Sequence, residues 1–154
     1  MDYRSFIERV EKSFKSSGFV QAERTPTGID LAMGKQWMQS LFTFAFLRGD
    51  QLTREEINNI LDAAFTKMED EKAPFILFGL WPFVRGAKST ILTFVFEEPS
   101  DVGWILSEAK RSKFLGKSYV VSWIVDLKTE ALHKNKGIPK IVGIGEEEVK
   151  IAFV

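Results

Sequence analysis

Between residues 41 and 127 the apolar positions repeat one order twice. An apolar run at 41–47, a helical stripe over 53–72 and an apolar run at 75–81 come first. An apolar run at 91–96, a helical stripe over 101–115 and an apolar run at 119–125 follow. Short runs rich in Phe, Val and Ile with turn residues at their ends predict strands, and apolar residues three and four apart predict helices. The segment therefore reads strand–helix–strand, twice.

Upstream, Tyr3, Phe6, Ile7, Val10 and Phe14 fall on one helical face, with Asp2 placed to cap the start and Gly18 to end the helix. Residues 19–23 and 29–33 read as two strands of a hairpin joined by Thr25-Pro26-Thr27-Gly28, with Gly34 as a break and a longer strand over 37–47. Thr53-Arg54-Glu55-Glu56 is a capping box. Ile57, Ile60, Leu61, Ala64, Phe65 and Met68 continue from it as one stripe. Val102, Ile105, Leu106 and Ala109 face inward in the helix expected at 101–115, and residues 131–134 pair back on the strand before them. Residues 148–154 read as a final edge strand.

The central strands are apolar on both faces. Phe42, Phe44 and Phe46 alternate with Leu41, Thr43, Ala45 and Leu47, and residues 91–96 behave alike. A sheet covered on one side alternates apolar with polar, so both sides here must be covered. The N-terminal helix or a second subunit has to supply the second cover. Two strand–helix–strand units predict an α+β fold with a ferredoxin-like βαββαβ core, an N-terminal helix and a β-hairpin, in a single domain over 1–154. The alternative is a three-layer α/β/α sandwich with a restriction-endonuclease-like layout.

Composition changes this picture little. Hydrophobic residues make up 45% of the chain, charged residues 27%, and the formal net charge is zero, so no global field draws it to nucleic acid or membrane. Charge is nonetheless segregated, acidic over 50–71 and basic over 108–140. The chain has no cysteine, which excludes disulfides and thiolate chemistry and fits a cytoplasmic protein. The first residues lack the apolar core of a signal peptide, and no apolar run approaches the roughly 20 residues that span a bilayer.

Candidate chemistry is sparse. Gly28 to Lys35, Arg85 to Thr90 and Gly116-Lys117-Ser118 each depart from the spacing of a phosphate-binding loop. A magnesium-dependent nuclease site needs an acid and a strand-borne Asp/Glu-x-Lys. Asp30 with Asp126 and Lys128, or with Glu148 and Lys150, supplies those residue types. Such a triplet occurs four times in the chain, where about two are expected by chance, and solvated strand ends are the simpler reading. His133 is the one histidine, so histidine-rich zinc sites are excluded, and no metal or other cofactor is expected. Lys110, Arg111, Lys113 and Lys117 form a basic stretch suited to an anion or nucleic acid, though a solvated face needs no ligand. Trp81, Phe83 and Arg85, around Pro82, suit an anchor for a protein partner and equally an aromatic lid over the edge of the core. The function expected from the residues is a non-catalytic module that binds another protein or a second copy of itself. A magnesium-dependent nuclease-like enzyme and an anion or nucleic-acid binder acting through 108–140 are the alternatives.

Overall fold

A computed structural model describes residues 1–22, 25, 28–37, 40–69, 88–107, 109–111, 119–135 and 144–154. The first element, α1 (Tyr3–Ser16), starts where Asp2 accepts a hydrogen bond from the Ser5 amide at 3.0 Å. It ends in a Schellman turn. Gly18 takes φ +87°, its amide donates to Lys15 O, and the Phe19 amide donates to Phe14 O at 3.0 Å. The Phe14 and Phe19 rings meet edge to face at 4.7 Å, the apolar contact that accompanies this turn.

The chain then builds β1 (Val20–Gln21), β2 (Leu31–Trp37) and β3 (Ser40–Arg48) as an antiparallel meander. Gly34 does not break β2; it pairs with Thr43 inside the strand. The helix α2 (Arg54–Glu69) begins where the Glu56 amide donates to Thr53 Oγ1 at 3.2 Å, the threonine half of the expected capping box. After it come β4 (Lys88–Phe96), a 3-10 helix (Gly103–Ser107), β5 (Ala109–Arg111), β6 (Tyr119–Asp126), β7 (Ala131–His133) and α3 (Glu146–Ala152).

Among the described residues, seven strands form one mixed sheet in the order β1-β2-β3-β4-β6-β5, with β7 also on β6. β5 pairs with residues 119–121 of β6 and β7 with residues 124–126, so the two short strands share one edge of β6 end to end. Asn135 Nδ2 closes the junction between them by donating to Leu106 O at 2.6 Å.

The α+β class expected from the sequence is present, but the ferredoxin-like core is not what these strands form. That fold needs an antiparallel sheet, whereas β3 with β4 and β4 with β6 run parallel. The strand expected at 75–81 lies outside the described residues. Where a helix is expected over 101–115, Gly103–Ser107 form a 3-10 turn and Ala109–Arg111 pair with β6 as β5, while residues 112–115 lie outside the described residues. The edge strand expected at 148–154 is the helix α3, in which Val149 and Ala152, three apart, are both buried.

The sheet lies between two helical layers. Phe6, Val10 and Phe14 of α1 and Val149 and Ala152 of α3 pack on the face bearing Phe42, Phe44, Phe46, Ile91, Val95, Val121, Trp123 and Val125. Ile57, Leu61 and Ala64 of α2, with Ile105, cover the opposite face of Ala45, Leu47, Leu92, Phe94, Val120 and Ile124. The second face that the sequence left uncovered is thus closed within the chain. A partner subunit is not required to bury it.

Candidate functional site

Parallel strands β3, β4 and β6 end together, and the carboxyl ends of such strands are where open α/β sheets usually place a ligand. Here that edge carries a chain of charged side chains. Arg48 at the end of β3 reaches Asp50 at 3.5 Å and Glu97 at 3.4 Å. Asp50 in turn accepts from the Glu97 amide at 3.2 Å and the Glu98 amide at 3.3 Å, tying the exit of β3 to the exit of β4. Glu98 pairs with Lys128 at 3.0 Å, which extends the chain to β6. At the other end the Tyr3 amide donates to Glu97 at 2.9 Å, the Tyr3 hydroxyl donates to Asp30, and the Arg48 guanidinium lies over the Tyr3 ring. Burial, then the hydrogen bond and charge of Asp30, hold the Tyr3 hydroxyl well above the ordinary phenol range, against an opposing pull from Arg48.

Asp126 at the end of β6 serves a turn. Its carboxylate accepts from the Lys128 amide at 2.9 Å, the Thr129 amide at 3.1 Å and the Thr129 hydroxyl at 2.7 Å. Burial alone raises this carboxyl, but the hydrogen bonds from Thr129 and Lys128 outweigh it and leave Asp126 below its ordinary value. Asp30 and Asp126 flank this edge of the sheet without meeting. Asp30 sits at the start of β2 and Asp126 on β6, with β3 and β4 between them. Three strand spacings are roughly 14 Å at about 4.8 Å each, too far for one shared metal ion. Lys128 is taken up by Glu98, whose hydrogen bond and charge raise its ammonium.

The second set of expected acids fares no better. Glu148 and Lys150 lie on α3, not on a strand. Lys150 pairs with Glu146 at 2.9 Å, and Glu146 also meets Lys134; hydrogen bonds from these two lysines hold the Glu146 carboxyl low. Glu148 lends its backbone carbonyl to the Ser13 hydroxyl at 2.8 Å and leaves Oε2 buried without a hydrogen-bond partner. Among the described residues no group of three His, Cys, Asp or Glu side chains is placed to hold a metal ion.

Of the expected binding residues, Trp81, Phe83, Arg85, Lys113 and Lys117 lie outside the described residues. Lys110 and Arg111 lie in β5, whose backbone alone is described. The α2 helix packs beside β5, so the acidic helix and the start of the basic stretch are neighbours in one chain.

A feature with no local sequence pattern lies where α2 starts. The Arg54 guanidinium stands 4.5 Å over the Trp104 ring. Leu52, Ile60, Val102, Trp104 and Leu106 are each partly buried and pack against the α2 core, as an apolar shelf at its rim. Arg54 and Trp104 are distant in sequence, so neither periodicity nor motif spacing pairs them. The one available signal was a tryptophan that the inward stripe of Val102, Ile105 and Leu106 did not use.

No helix among the described residues is long and apolar enough to cross a membrane. In comparisons with known proteins, the chain matches no family model, no curated protein and no solved structure at a significant level.

Proposed function

We propose that the protein is a non-catalytic binding module that pairs with a second copy of itself through the shelf around Trp104. The observation that carries this reading is the Arg54–Trp104 pair on a partly exposed apolar surface. Tryptophan and arginine are the side chains most enriched at the energetic centres of interfaces, where aliphatic neighbours exclude water around them. A twofold contact places the same patch on both partners. An arginine over an indole suits that arrangement, because each guanidinium can stack on its own ring or on the ring across the axis. The roles of the acids support the non-catalytic half of the reading. Asp30 accepts from the Tyr3 hydroxyl, and Asp50, Glu98, Asp126 and Glu146 each engage a turn or an ion pair, whereas a catalytic carboxylate must be open to its substrate.

Size-exclusion chromatography with light scattering, from low to high micromolar protein, tests the reading. The mass should rise toward twice the 17.6 kDa of the chain. It should persist in high salt, because the shelf is mainly apolar. Trp104→Ala should weaken the association at least about tenfold, the effect of losing one central anchor. A monomer at every concentration and salt overturns self-pairing. A dimer unaffected by Trp104→Ala moves the interface away from the shelf.

A further inference from the structure

No further inference is drawn: the strongest candidate, the buried and unpartnered carboxylate oxygen of Glu148 in the seam between α1 and α3, carries nothing because no second observation beside it points to a ligand.

Discussion

The two faces of the sheet are built from alternate residues of the same strands, yet they solve burial differently. The face under α1 and α3 is aromatic. Phe14 meets Phe19, Phe44 and Phe46 with ring centroids 4.7, 5.2 and 5.4 Å away, and Phe44 goes on to Trp123 at 5.4 Å. The face under α2 is mainly aliphatic: Ala45, Leu47, Leu92, Val120 and Ile124 meet the helix residues Ile57, Leu61 and Ala64, with Phe94 and Phe96 among them. Two helices, α1 and α3, cover the aromatic face, while α2 and Ile105 of the 3-10 helix cover the other. The aromatic layer also ties the two ends of the chain together, since Phe6 stacks on Phe153 at 5.6 Å. Cohesion should therefore be greater per side chain on the aromatic face.

The largest expected effect tests that claim directly. Phe44→Ala removes a ring at the centre of the aromatic layer and should cost about 3–5 kcal/mol, whereas Leu61→Ala, equally buried under α2, should cost about 2–4 kcal/mol. Urea midpoints for the two variants supply the comparison. Equal losses would contradict the greater cohesion per side chain on the aromatic face.

The second effect concerns how α3 closes the aromatic face. Gly145 leads into α3 with φ +81°, and a Cβ there would lie 2.2 Å from the Phe44 ring. Gly145→Ala therefore meets both a left-handed backbone and the ring, at a cost of about 2–4 kcal/mol. Hydrogen exchange should show α3 losing protection before the sheet does. Unaltered exchange in α3 would show that Phe44 can yield to the methyl group.

How far each face was legible follows the same division. The helices α1 and α2 were readable because each has a stripe and a cap in continuous sequence, Asp2 with Gly18 and Thr53 with Glu56. The two apolar faces of β3 and β4 correctly signalled a sheet covered on both sides. Strand direction was not legible, because a period of two states which side a residue faces and not which strand lies beside it. The α3 helix was misread because Val149, Ile151 and Phe153 alternate as in a strand. Ile151 is in fact 59% exposed while Val149 and Ala152 are buried, and the acids Glu146, Glu147 and Glu148 were the helix-start signal that alternation masked. The charged edge was illegible for another reason. Its contacts join residues as far apart as Tyr3 and Glu97, and single side chains at that separation leave no local pattern.

The turn after β6 gives a smaller effect, with a pH signature. Asp126 lies on the strand parity of the aliphatic face and accepts hydrogen bonds from two amides and one hydroxyl. Asp126→Ala should cost about 1–2 kcal/mol at neutral pH. Because its folded carboxyl is held below the ordinary value, the stabilisation is complete above the unfolded value near 3.9 and is lost as pH falls through the lower folded value. The gap between the wild type and Asp126→Asn should accordingly narrow below about pH 4. Urea midpoints at pH 7, 5, 4 and 3 check it, and a gap that stays constant across that range would count against the carboxylate as the source.

The smallest effect has the opposite sign and probes what the aromatic face tolerates. Thr93 is fully buried on β4, in register between Phe46 and Trp123, and its hydroxyl has no hydrogen-bond partner. A buried hydroxyl without a partner keeps its desolvation cost and gains nothing in return. Thr93→Val keeps the β-branched shape that suits a strand and removes the orphan, so it should raise stability by about 0.5–1 kcal/mol. Ser122 is the matched control: it is as deeply buried, lies on the aliphatic face, and is not without a partner. Ser122→Ala should lower stability by about 0.5–1.5 kcal/mol. The pair of opposite signs, read as denaturation midpoints, separates a face sealed by rings from one that accommodates a polar residue. A loss of stability in Thr93→Val would mean that its hydroxyl is satisfied, and that the aromatic layer is less dry than its packing implies.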